Sequence, residues 1–203
     1  MMERTEAMFA EATLTLLHPD GSGERSDAVI RGDDLVDALN LRTEQDCLRL
    51  LALQQPVVAS DLRFVGATLK IVDDIERIGD HAVNIAKTAE RLRCESVEFV
   101  PLADMETMSA SVGAMLRRTR EAFDAPDVLT AQNLIAEDEA IDAQYAEIRR
   151  VLQARMQAEP CRAVLASYLL FIAHYLERIG DHCVGIAERI LYLKTGMEKE
   201  AAR

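Results

Sequence analysis

The chain has no tryptophan, and aromatic residues fill only 4% of its 203 positions. With 9 glycines and 5 prolines besides, it is poor in the turns and ring side chains of sandwiches and barrels, which points to a helical protein packed with Leu, Ala and Ile. The cysteines Cys47, Cys94, Cys161 and Cys183 lie far apart and form no C-x-x-C pair. That argues against a zinc knuckle or a redox dithiol. Cys47 and Cys183 fall at apolar helical positions and read as core residues in a reducing cytosol. No apolar run approaches ~18 uninterrupted residues, so no transmembrane segment is expected. The N-terminus opens with an acid, and Glu11 breaks its apolar run, which argues against a signal peptide and for a cytoplasmic protein. Positive charge is scarce too: 23 Lys and Arg stand against 35 Asp and Glu, for a net charge of −12. Such a surface repels nucleic-acid phosphates and anionic lipid, whereas cations and basic protein surfaces suit it.

What is present is helical periodicity. At 49% hydrophobic residues the chain can bury a real core, in one large domain or two small ones. Pro19, Pro56, Pro101, Pro126 and Pro160 punctuate six periodic segments, so helices are expected near residues 2–17, 22–54, 57–93, 102–124, 127–157 and 161–195. His18-Pro19-Asp20-Gly21-Ser22-Gly23 reads as a loop. In the last segment Leu165, Leu169, Ile172, Leu176, Ile179, Cys183, Ile186, Ile190 and Leu193 step by four and three, the seam of a bundle.

The third segment repeats the sixth. Glu76-Arg77-Ile78-Gly79-Asp80-His81 recurs letter for letter as Glu177-Arg178-Ile179-Gly180-Asp181-His182. The same offset places Phe64, Thr68, Ile71, Ile75, Ile78, Ala82, Ile85, Ala89 and Leu92 on an equivalent seam. The expected fold class is therefore all-α: two pseudo-symmetric antiparallel three-helix bundles, residues 1–98 and 99–203, joined near Pro101.

Each copy of the motif holds two carboxylates one helical turn apart, which repel by a few tenths of a kcal/mol. The glycine between them costs up to ~1 kcal/mol relative to alanine. A chain that accepts both penalties twice is being asked to hold a cation, although Gly79 and Gly180 could equally serve close helix approach. With Leu176 and Ile179 on the seam, Glu177 and Asp181 are expected on the outer side of their helix, and Glu76 and Asp80 likewise. Asp37 and Asp142, each following a seam residue on the preceding helix, project onto the same strips. Asn40 lies beside the first and Tyr145 beside the second. Carboxylates without cysteine suit Mg, Mn or iron. His81 and His182 are turned roughly 100° from the acids by their one-residue step. On a plain solvated helix Arg77 would instead pair with Asp73 or Asp74.

These residues resemble the PhoU family of bacterial phosphate-transport regulators. The resemblance is carried by the doubled Glu-Arg-Ile-Gly-Asp-His, by Gln55-Pro56 followed by Asp61-Leu62-Arg63, and by the acidic runs Gly32-Asp33-Asp34 to Asp37 and Glu137-Asp138-Glu139 to Asp142. It implies metal ligands at Asp37, Glu76 and Asp80 and at Asp142, Glu177 and Asp181, holding divalent or trivalent ions, multinuclear iron among them, with Zn, Mn or Mg as alternatives. It also implies no catalysis, and restraint of the phosphate-starvation response by a homodimeric adaptor. The partners would be a sensor histidine kinase and the ATPase subunit of a phosphate ABC transporter. A metal-dependent phosphohydrolase, a metal buffer and an accessory of a low-affinity phosphate carrier are the competing readings.

Overall fold

The computed structural model describes residues 1–18, 23–53, 56–94 and 103–196. They form α1 (Met2–Leu17), α2 (Glu24–Leu53), α3 (Ala59–Cys94), α4 (Ala103–Asp124), α5 (Val128–Ala158) and α6 (Ala163–Thr195), with a 3-10 turn at Pro160–Arg162 leading into α6. The prolines act as punctuation, as a ring that removes a backbone donor must. Pro56 and Pro126 sit in joints and Pro160 opens the 3-10 turn. Pro19, Pro101 and the expected division at 98/99 lie outside the described residues. The Asp127 carboxylate caps α5 by accepting from the Thr130 amide at 2.8 Å, a contact typically worth ~1 kcal/mol. Gly196 ends α6 in the left-handed region at φ 71°, which glycine adopts without steric cost.

Helices α1, α2 and α3 pack on one another, as do α4, α5 and α6, and the two triplets join through α3 against α6 and α1 against α4. Flanking helices α2 and α5 touch only their own triplet among the described residues. Central helices need two apolar faces. In α6, Leu169, Ile172, Leu176, Ile179, Cys183, Ile186 and Ile190 are buried as the periodicity requires, and Ala173, Gly180 and Ala187 add further buried positions. By length and composition the stretch Pro160–Thr195 could cross a membrane, but these apolar residues are the core of the bundle itself.

The duplication extends to the first helix of each triplet, where no letters announce it. Buried Met2, Thr5, Met8, Phe9, Ala12 and Thr15 match buried Ser109, Val112, Met115, Leu116, Thr119 and Ala122 position for position. The buried hydroxyls of Thr5, Thr15 and Thr119 each donate to a carbonyl one turn back, at 2.9 Å in every case, which removes the cost of burying them. Across the α1–α4 contact, Arg120 Nε donates to Glu6 Oε2 at 2.8 Å. A Cβ on Gly113 there would stand 3.1 Å from the Phe9 ring.

The seam fails at its ends: Leu193, expected inside, is 36% exposed near the close of α6. Phe64, expected inside, is 56% exposed, and Val65 and Ala67 are buried in its place. Helix α1 has 16 residues against 22 in α4, and the additional α4 turns carry the buried Met105 and Met108. At the far end of the α2–α3 hairpin, Leu41, Leu48, Leu53, Val58, Leu62 and Phe64 are all exposed. Replacing Ile179 by alanine should cost about 2–5 kcal/mol in urea unfolding, as for a fully packed core residue. Leu53→Ala should stay within about 0.5 kcal/mol.

Candidate metal centre

Antiparallel packing brings two helical turns of acid face to face in each triplet. From α2 come Asp33 and Asp37, and from α3 Glu76 and Asp80; Asp33 feels the charges of Asp37 and Asp80, and Glu76 those of Asp80 and Asp37. The second triplet repeats the arrangement with Asp138 and Asp142 of α5 and Glu177 and Asp181 of α6. All six residues named from the sequence, Asp37, Glu76, Asp80, Asp142, Glu177 and Asp181, thus fall into two groups as expected. Asp33 and Asp138 complete the groups and were not among the six. Their signal was in the letters: Asp33 precedes Asp37, and Asp138 precedes Asp142, by the same one-turn spacing as the motif acids.

The glycines explain how the added acids fit. A Cβ on Gly79 would stand 3.2 Å from Asp33 Oδ1, and one on Gly180 would stand 2.9 Å from Asp138 Oδ1. Each motif glycine is a cradle for a carboxylate from the neighbouring helix. Seated there, Asp33 and Asp138 are pushed from the ordinary 3.8 up to about 6, first by burial and then by the carboxylates around them. Burial, followed by a neighbouring acid, also raises Glu76. Asp181 is raised by burial as well, against the lowering pull of Arg178.

One expectation needs correction, and so does the solvated-helix alternative. The motif acids do not stand on an open outer face: Glu177 is buried at 9% exposure, and Glu76, Asp80 and Asp181 are only part exposed. The flanking helix leans over the strip and turns it into a groove, with Asp37 and Asp142 as its exposed rim. Nor does Arg77 pair with Asp73 or Asp74. Its Nε lies 3.5 Å from Glu76 Oε2 and its Nη1 3.0 Å from Asp80 Oδ2, so it spans the two motif acids. Arg178 does the same between Glu177 and Asp181.

The histidines face the junction of the halves. His81 and His182 stack with ring centroids 5.5 Å apart, and His182 Nδ1 lies 2.9 Å from Asp74 Oδ1 across the α3–α6 contact. His81 also stacks on Tyr175 at 5.8 Å. Burial and the neighbouring His182 hold His81 down at about 4. Cys47 and Cys183 are buried free thiols and Cys161 is exposed; burial drives the Cys183 thiol up to about 12.

Among the described residues no three His, Cys, Asp or Glu side chains converge closely enough to hold a metal as they stand. The donor set nevertheless suits one. Buried oxygens Asp33 Oδ1, Asn40 Oδ1, Glu137 Oε2 and Asp138 Oδ1 have no hydrogen-bond donor, a condition rare in folded proteins unless something else meets them. All are hard oxygen ligands of the kind Mg, Mn or iron accept. Asp33, Asp37, Glu76 and Asp80 would hold an ion in the first groove, and Asp138, Asp142, Glu177 and Asp181 in the second.

A duplicated three-helix unit with a glycine-cradled carboxylate group in each copy defines a class of all-helical repeat proteins, and comparison with known proteins names it. The PhoU domain model matches residues 1–89 and 105–190, and the chain belongs to the PhoU family. It is 35% identical over 199 residues to a phosphate-specific transport system accessory protein PhoU homolog of Deinococcus radiodurans, covering 97% of this chain and 90% of that one. A Clostridium acetobutylicum protein of the same name is 34% identical over 173 residues, 85% of this chain and 78% of that one. The crystal structure of PhoU from Pseudomonas aeruginosa superposes with a TM-score of 0.91 at 29% identity, covering 97% of this chain and 93% of the other. The phosphate transport system regulatory protein PhoU from Streptococcus pneumoniae gives 0.83 at 28% identity, covering 98% and 93%.

Two measurements probe the groove. Gly180→Ala gains helix propensity of up to ~1 kcal/mol but crowds Asp138 at a cost of about 1–3 kcal/mol, so it should destabilise the protein. In an Asp138→Ala background the same change should become stabilising, a coupling that a double-mutant cycle reads directly. The second measurement is pH dependence without metal. Because Asp33 and Asp138 have folded values near 6 against an ordinary 3.8, the unfolded chain loses its protons first as pH rises. Their contribution is complete below about 3.8 and is lost as pH climbs through about 6. The melting temperature should therefore fall over that window, and less so in Asp33→Asn/Asp138→Asn.

Proposed function

We propose that this protein is a cytoplasmic, non-enzymatic accessory protein of phosphate transport. In this reading it is a metal-binding adaptor that contacts the ATPase subunit of a phosphate ABC transporter and the sensor histidine kinase of the phosphate response. The observation that carries this is the family match over both triplets, since relatives aligned along most of the chain bear the name of phosphate-specific transport accessory proteins. The molecule offers a surface for such a role. The apolar end of the α2–α3 hairpin, with Leu48, Leu53, Val58 and Leu62 exposed, is the kind of patch that marks a protein-binding site. A homodimer is the assembly this reading expects.

The carboxylate grooves supply the metal sites. An ion there relieves the repulsion among four acids and binds only the folded form, so it stabilises the bundle by mass action. Against a phosphohydrolase stands the naming of the relatives, which are called accessory proteins of phosphate-specific transport.

Purified ATPase subunit and kinase cytoplasmic domain should each be captured by the immobilised protein, and Leu53→Glu/Leu62→Glu should weaken capture at least tenfold. Failure of the native protein to hold either partner would sink the adaptor reading. Elemental analysis should show metal in the native protein and its loss when Glu76, Asp80, Glu177 and Asp181 are all alanine.

A further inference from the structure

The motif arginine occupies the place between the two acids that an incoming cation would need. We infer that Arg77 and Arg178 are displaceable internal counter-ions that leave their carboxylates before a metal ion enters, and that the tighter clamp at Arg178 makes the second groove fill after the first. This rests on the reading that the grooves bind metal.

The two clamps differ in ways that all point in one direction. Arg178 grips Glu177 with a fork, Nε to Oε2 at 2.8 Å and Nη2 to Oε1 at 3.0 Å, and reaches Asp181 Oδ2 with Nη1 at 2.9 Å. Arg77 makes one contact of hydrogen-bond length, 3.0 Å to Asp80, and its Nε stands off from Glu76 at 3.5 Å. Forked guanidinium–carboxylate pairs are the stronger and more directional kind. The Arg178 side chain is 44% exposed against 59% for Arg77, and its partner Glu177 is the more deeply buried glutamate. Water therefore competes less for the second clamp, and releasing it costs more.

The surroundings add to the difference. Helix α2 offers Asn40 with a buried, unpartnered Oδ1, a further oxygen for an ion, whereas the further oxygen on α5, Glu137 Oε2, belongs to a carboxylate already held by Arg118. The position on α5 corresponding to Asn40 is Tyr145, with the Arg149 guanidinium 5.6 Å over its ring. Lys87, a further cation felt at the first groove, works the other way and offsets part of this difference. The clamps also account for the lack of a ready-made ligand set. While each arginine holds its two acids toward itself, they cannot converge on one point.

The test is Mn²⁺ titration of metal-free protein, following free Mn²⁺ by its paramagnetic resonance signal. The native protein should show two classes of site separated by at least tenfold. Arg178→Met should tighten the weaker class by about tenfold or more and merge the two, Arg77→Met should tighten the stronger class by less, and Arg178→Lys, which keeps the charge but loses the fork, should fall between. Melting of the metal-free proteins at pH 7.5 gives a second readout, in which Arg178→Met should lower the midpoint more than Arg77→Met. If Mn²⁺ binds but Arg178→Met leaves the weaker class unchanged or loosens it, the counter-ion role is wrong and the metal reading stands. If neither the native protein nor either methionine variant binds Mn²⁺, both are overturned.

Discussion

A carboxylate seated on the bare backbone of a glycine, once in each half, is the contact around which this molecule is arranged. Asp33 lies on Gly79 and Asp138 on Gly180, where an added Cβ would stand 3.2 and 2.9 Å from the carboxylate oxygen. That seat draws the flanking helix down onto the central one and closes the acid strip into a groove. It also strips water from the carboxylate and sets it among three others, which is why both aspartates hold their protons to about pH 6. Glycine in the middle of a long helix is unfavourable in isolation. Here α3 and α6 are central, packed from two sides, and tertiary burial rather than propensity holds them straight.

The grooves are therefore poised rather than relaxed. Four acids share a site in which the nearest positive charge is an arginine from the same motif, and several oxygens meet no donor at all. Each arginine spans its two motif acids and is the cation that offsets their repulsion here. The acids and the arginine that spans them reside in the same six letters.

The duplication is imperfect, and one departure lies where the halves touch. Position 74 is an aspartate bonded to His182, while its counterpart, Tyr175, stacks on His81. Asn40 and Tyr145 divide the grooves in the same way. The outer ends of the hairpins differ too, with leucines exposed at the first and Met105 and Met108 buried at the second. A pseudo-symmetric body thus carries two unlike carboxylate grooves and an exposed apolar end on its first hairpin.

Much of this was legible in the letters. The six helices, the repeated seam from Ile71 to Leu92 and from Leu169 to Ile190, and the stacking of Glu76 with Asp80 and of Glu177 with Asp181 all follow from spacing along one helix, because a 3.6-residue period is a local property. Phe64 misled because periodicity says which residues could face a neighbour, not whether a neighbour is there. Glu177 was placed outside for the same reason. The seating of Asp33 on Gly79 and the stack of His81 on His182 depend on the register of helices distant in the chain. Those contacts were decided only when the six helices packed together.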